Sequence, residues 1–145
     1  MKGGASSGVA DVFISYARAT ADQAQRVAET LRGLGYAVWS DDELPVHRAY
    51  HEVIEQRLAA AKAVLVLWSA DATRSQWVRA EAEVAREAGK LVQLTLDGTP
   101  PPMPFNLIQC ADLRGWSGDA GAPGWTKVIA SLAELVGGRG PSPTA

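Results

Sequence analysis

The chain predicts an α/β domain on a parallel sheet, and two observations carry that reading. Five short apolar runs alternate with helix-periodic segments along 145 residues, the arrangement that βαβ units impose. One run, Ala63–Ser69 (AVLVLWS), is apolar at every position up to its serine, as expected of a central strand covered on both faces.

The elements follow in order. Asp11–Ala17 (DVFISYA) reads as the first strand. The next segment sets Ala24, Val27, Ala28, Leu31 and Leu34 at helical spacing, with Gly35 as the stop. Tyr36–Asp41 (YAVWSD) is a second strand, and the stretch Tyr50–Ala61 places Val53, Ile54, Leu58 and Ala61 on one helical face. After Ala63–Ser69 comes a helix reaching Glu87, then a fourth strand, Lys90–Asp97 (KLVQLTLD). The prolines of TPPPMPF enforce an irregular segment, because proline can join neither a central ladder nor a helix interior. Cys110–Trp116 (CADLRGW) is a weak fifth strand and Gly124–Val136 a closing helix. Trp39 and Trp68, on strands, read as core.

Composition narrows the function classes. With 47% hydrophobic and 21% charged residues, the chain suits one globular domain. A net charge of -2 and no basic stripe give no case for nucleic acid or an anionic membrane as partner. The single Cys110 cannot form an internal disulfide and suits a reducing, cytoplasmic compartment. Residues 1–9 are small and flexible in composition without a signal-peptide core, and no apolar run nears the ~20 residues of a membrane span. The folded domain is therefore expected over residues 10–136. Residues 137–145 have linker composition and are expected to lead to another domain.

In open parallel sheets, ligands bind outside the carboxyl ends of the strands. The loops there exclude three common tenants. SYARAT, after the first strand, has no glycine for a dinucleotide-binding turn; no Walker phosphate loop occurs; and Ser69 stands where a phospho-acceptor receiver would want an aspartate. His47 and His51 are four apart beside Glu52 and Glu55, but surface histidines explain them better than a metal, and no metal is expected. Cys110 reads as a small buried residue.

The helix after the third strand is the exception to bland chemistry. Thr73 and Gln76 suggest a capping box at its start. At about 100° per residue, Trp77, Ala80, Val84 and Ala88 make an apolar face, with Arg79, Glu83, Arg86 and Glu87 opposite. Glu81 is expected in the middle of the apolar face, one turn after Trp77. Either an arginine such as Arg18 or Arg48 satisfies it, or it emerges at the helix edge, or it is a carboxylate held in a cleft for a cationic, oxocarbenium-like substrate. Ser15 and Ser69, at strand ends, fit ligand contacts and simple capping equally well.

The strand-exit motifs together resemble a Toll/interleukin receptor (TIR) domain, of the bacterial, NAD-cleaving type. The matching pieces are DVFISYAR, GYAVWSDDELPVHRAY, AVLVLWSADATRSQWVRAEAEVA, GKLVQLTLDG and DLRGW, in family order from Asp11 to Leu135. The resemblance implies a flavodoxin-like three-layer sandwich with a five-stranded parallel sheet. It also implies cleavage of NAD at the nicotinamide–ribose bond, to ADP-ribose or a cyclic variant, with NAD as substrate and no cofactor. Glu81 matches the family's catalytic glutamate and Trp77 the tryptophan four residues before it. Arg18, Ser15, Tyr16, Asp41 and Ser69 then stand near the substrate. Asp41–Tyr50 corresponds to the BB loop, which gates the site and mediates association with other TIR domains, here through Asp42, Leu44, Pro45, His47 and Arg48. The activity would then be switched on by self-association in bacterial immune or stress signalling. A non-catalytic TIR–TIR adaptor is the alternative, and a sensor of a cyclic ADP-ribose-like ligand a third reading.

Overall fold

Alternate residues of a doubly covered strand must feed two different cores, and the stretch Ala63–Trp68 does so with every residue buried. The computed structural model describes residues 11–40 and 50–137. Along them run β1 (Val12–Ser15), α1 (Ala21–Gly33), β2 (Val38–Trp39), α2 (Tyr50–Ala60), β3 (Ala63–Trp68), α3 (Ala70–Thr73), α4 (Gln76–Glu87), β4 (Leu91–Thr95), β5 (Cys110–Asp112) and α5 (Pro123–Val136). Single 3-10 turns cover Arg18–Thr20 and Phe105–Leu107. The five strands form one parallel sheet in the order β2-β1-β3-β4-β5. This is the flavodoxin-like order, in which the chain reverses its direction of travel between β1 and β3.

Two cores flank the sheet. Val12, Ile14, Leu65, Leu67 and Leu94 point to the side covered by α1 and α5. Phe13, Val64, Val66 and Trp68 point to the side covered by α2, α3 and α4. Trp39 stacks on Phe13 with centroids 5.2 Å apart, and Trp68 meets Phe105 at 5.6 Å, so both strand tryptophans are core. The expected helical faces of α1 and α2 are buried through Ala24, Val27, Ala28 and Leu31, and through Val53, Ile54, Leu58 and Ala61.

The strands are shorter than their apolar runs. Tyr36 lies outside β2: its amide donates to the Leu31 carbonyl and helps close the end of α1. β5 stops at Asp112, whose carboxylate accepts the Arg114 amide at 3.0 Å in a local turn. Lys90, just before β4, reaches back to the end of α2. Its Nζ donates to the carbonyls of Leu58 (2.8 Å), Ala59 (3.2 Å) and Ala61 (2.8 Å), satisfying groups that a helix terminus leaves without partners. Burial lowers the pKa of that ammonium.

The segment after β3 corrects two expectations. It is two helices, not one, and each begins at a serine: Ser69 Oγ accepts the Ala72 amide and Ser75 Oγ accepts the Val78 amide. Thr73 is therefore no N-cap; its hydroxyl donates to the Ala70 carbonyl at 2.8 Å. The buried face of α4 is Val78, Glu81, Ala82 and Ala85, turned by about 100°, one residue, from the expected Trp77–Ala80–Val84–Ala88 face. Ala82 and Ala85 are fully buried, whereas Val84 is 45% exposed. Small side chains let α4 lie close on the sheet, and that contact outweighs the larger apolar residues. Glu81 is therefore not in the middle of the expected face but on the border it shares with the buried one, and it is buried.

Candidate functional site

The strand order reverses between β1 and β3, and this topology receives ligands outside the carboxyl ends of the strands at such a point. Ser15 ends β1, paired in register with Val66 of β3, and Ser69 follows β3 directly. α4 packs on β3, β1 and β4. Its inward face brings Glu81 against the end of β1, where the Ser15 hydroxyl donates to Glu81 Oε1 at 2.5 Å. Ser15 is 0% exposed and Glu81 3%. The distance is at the short end for an O–H···O hydrogen bond.

The other candidates divide around this pair. Trp77 is half-buried one turn before Glu81 and packs on the same core cluster. Four residues apart on a helix, the two side chains project from neighbouring positions on one side. Arg18 is exposed and opens the 3-10 turn that follows β1. Tyr16 alternates away from Ser15 and packs against the opposite core, so the sheet separates it from Glu81. Ser69 is buried with its hydroxyl capping α3. Asp41, Asp42, Leu44, Pro45, His47 and Arg48 lie outside the described residues.

A second tie secures the same end of the sheet. Asp97, after β4, accepts the Ala70 amide on Oδ2 and the Thr99 amide on Oδ1, each at 3.0 Å. Burial pushes its carboxyl pKa up, but the amide bonds outweigh it and hold the group below its ordinary value. The start of α3 is thus moored to the β4 exit loop.

Two features had no place in the sequence-level site. Ser15 is bonded to Glu81, a relation that spans 66 positions and that no local spacing encodes. The available signal was strand alternation, which sets Ser15 on the face of Phe13 and Ala17, toward the helix that carries Glu81. A cleft of about 470 Å³ also opens between β5 and the start of α5, lined in part by Asp112, Arg114, Trp116 and Asp119. None of the expected substrate contacts among the described residues lines it.

Cys110 is half-buried and its thiol pKa is pushed up to about 11, chiefly by burial and secondarily by Asp112. It is not an activated nucleophile. Among the described residues no helix is long and apolar enough to cross a membrane.

Solved structures similar to this chain include TIR domains. The TIR domain of the Toll-related receptor TRR-2 from Hydra magnipapillata superposes with a TM-score of 0.74 at 13% identity, over 86% of this chain and 98% of that one. A metazoan TIR-STING receptor from C. gigas, solved in complex with 2',3'-cGAMP, gives 0.70 at 19% identity; 86% of this chain is matched, but only 39% of the receptor. The TIR domains of the activated Roq1 resistosome give 0.58 at 17% identity, over 86% and 98% of the two chains. No curated protein sequence matches the chain. The TIR domain family model matches residues 12–125, most of the chain, and the chain belongs to the TIR domain family.

Proposed function

We propose that this TIR domain cleaves NAD at the bond between nicotinamide and ribose, with Glu81 as the catalytic residue. The observation that carries the proposal is a buried carboxylate, 3% exposed, held by Ser15 at the β1/β3 reversal of a parallel sheet. A carboxylate is costly to bury, and its position beside the ligand crevice of this topology gives the cost a purpose.

The chemistry asks little of the protein. When the C1′–N bond breaks, its electron pair goes to the ring nitrogen, so a cationic pyridinium leaves as neutral nicotinamide without protonation. Positive charge then develops at C1′ and the ribose ring oxygen. A fixed carboxylate stabilises that charge in a site from which water is largely excluded. Water attacking C1′ and losing a proton gives ADP-ribose; a nitrogen of the adenine attacking instead gives a cyclic product. Trp77, one turn before Glu81, offers an aromatic face to a ring of the substrate. Arg18, exposed after β1, supplies a cation for the pyrophosphate. NAD is then the substrate and no cofactor or metal takes part.

At 3% exposure, Glu81 meets a substrate only after a neighbouring group moves aside. The family resemblance gives that gating role to the segment between β2 and α2, where Asp41, Asp42, Leu44, Pro45, His47 and Arg48 lie. A gate displaced by a second TIR domain makes cleavage depend on self-association, in keeping with signalling in a bacterial cytoplasm.

The test is nicotinamide release from NAD at rising protein concentration, wild type against Glu81→Gln, with the products separated by chromatography. Release by the wild type alone is expected, and equal release by both removes Glu81 from the chemistry.

A second reading, a non-catalytic module that recruits other TIR domains, draws on Met103 and Leu107. They are 80% and 82% exposed in the segment between β4 and β5, which suits contact with a partner. On that reading NAD survives at every protein concentration.

A further inference from the structure

We infer that Ser15 is the positioning residue of this site, acting on the substrate only through Glu81; the inference rests on the NAD-cleaving reading above. A serine at a strand end in a ligand crevice invites a direct contact with ribose or phosphate. Its surroundings assign it otherwise. Ser15 is 0% exposed, and its hydroxyl donates to Glu81 Oε1 at 2.5 Å. A serine hydroxyl has one proton to donate, and here the carboxylate takes it.

The two residues bring unequal rigidity to the contact. Glu81 hangs on three side-chain torsions from an α4 face otherwise made of Val78, Ala82 and Ala85. None of these offers a hydrogen bond to hold a carboxylate. Ser15 has a single heavy-atom torsion and is fixed by parallel ladders on both sides, Val12 and Phe13 of its strand pairing with β2 and the whole strand with β3. The strand therefore gives carboxylate oxygen Oε1 a rigid anchor. Stabilising charge at a ribose carbon requires that carboxylate to be in place before the charge develops, and misplacement by about 1 Å costs on the order of 100-fold in rate. Phe13 and Ala17, the neighbours of Ser15 on the same face, lack a side-chain polar group, so β1 offers no replacement donor there.

The experiment compares Ser15→Ala, Ser15→Thr and Glu81→Gln in two measurements. In the first, the carboxyl carbons of glutamate are labelled with ¹³C, and the Glu81 resonance is assigned by its loss in Glu81→Gln. Ser15→Ala should move that resonance, while Ser15→Thr, which keeps the hydroxyl, should leave it near its place. In the second, NAD cleavage is followed at a protein concentration where the wild type turns over. Ser15→Ala should lower kcat about 10- to 100-fold with KM changed less than about threefold. Ser15→Thr should recover most of that loss. A thermal melt of each variant separates lost folding from lost positioning, and the NMR measurement stands even if the added methyl of Thr disturbs the strand.

An unmoved Glu81 resonance in Ser15→Ala, or an unchanged kcat, overturns the inference. A rise in KM alone assigns Ser15 to substrate contact and overturns it equally. Full activity in Glu81→Gln removes Glu81 from the chemistry and overturns the inference with it. No NAD cleavage by the wild type at any concentration defeats the NAD-cleaving reading instead, and the carboxyl resonance then still reports whether Ser15 holds Glu81.

Discussion

Gln93 holds Trp68. Across the β3–β4 ladder, Trp68 Nε1 donates to Gln93 Oε1 at 2.9 Å, and both residues are buried. The other end of the same amide turns toward the segment before β5, where Nε2 approaches the carbonyls of Phe105 (3.1 Å), Ile108 (3.3 Å) and Gln109 (3.3 Å). Two protons serve three acceptors, so at least one bond is shared. One polar residue in the middle of a strand thereby fastens a proline-rich segment that has no ladder of its own.

Replacing Gln93 with leucine keeps the bulk and removes every one of these bonds. The indole N–H and the carbonyls are then left buried or half-buried without the amide. Leaving such groups unsatisfied costs about 1–3 kcal/mol each where desolvation is complete, so Gln93→Leu should destabilise the domain by about 3 kcal/mol. Urea unfolding followed by tryptophan fluorescence reads this as a lower midpoint at unchanged slope. A midpoint within error of the wild type would show that the segment is held by other contacts.

The start of α5 rests on the end of β5 with no room for a methyl group. A Cβ at Gly124 would come within 2.4 Å of the Asp112 carbonyl oxygen and 3.1 Å of Leu113 Cδ2. The first of these is backbone, which cannot swing aside, so α5 itself would have to shift. Gly124→Ala raises helix propensity, yet the clash should dominate and destabilise by about 1–3 kcal/mol. The Trp116–Trp125 stack, centroids 4.6 Å apart, spans the same junction. Near-ultraviolet circular dichroism should therefore change along with the thermal midpoint, and a more stable Gly124→Ala protein would refute the close contact.

The lone cysteine should be slow to react. With its pKa pushed from an ordinary 9.0 up to about 11, Cys110 has roughly 100-fold less thiolate at pH 8, and the thiolate is the nucleophile. Alkylation at pH 8 should run about 100-fold slower in the native protein than in denaturant, where burial and the Asp112 charge are both lost. Equal rates in the two states would place the thiol in solvent.

Much of this architecture was legible in the chain because its signals are local. The unbroken apolar run Ala63–Trp68 marks a central strand, and the helical spacing of Ala24, Val27, Ala28 and Leu31 marks α1. What was not legible depends on contact between distant parts. α4 buries Val78, Ala82 and Ala85 rather than Trp77 and Val84, because close approach to the sheet favours small side chains and periodicity weighs large ones. Two serine caps replace the threonine cap suggested by TRSQ, since a break in the helix after Thr73 makes each of Ser69 and Ser75 a start. Glu81 stood out because a carboxylate on an apolar side is anomalous in any register. Its bond to Ser15 joins elements that meet only in the folded sheet, so spacing alone could not reveal it.

Asp97 gives the fold a measurable acid dependence. Its carboxylate takes the amides of Ala70 and Thr99, and these bonds hold its pKa below the ordinary 3.8 despite the opposing effect of burial. Between the folded and unfolded pKa values the unfolded chain binds more protons, so stability rises with pH across that window. The contribution is complete above the unfolded value and disappears as pH falls through the folded one. Asp97 is exposed, so solvent screening keeps the effect below about 1 kcal/mol. Asp97→Asn should accordingly lower stability slightly at pH 7 and not at all once the wild-type carboxyl is protonated. Chemical denaturation across pH 2–7 checks this, and the two curves should converge toward the acid end. Curves that stay parallel would mean that the Asn side chain, or a steric change, accounts for the difference rather than the charge. The same variant loosens the mooring of α3 beside Ser69, so hydrogen exchange at the Ala70 amide should quicken at neutral pH while exchange in the middle of β3 stays slow.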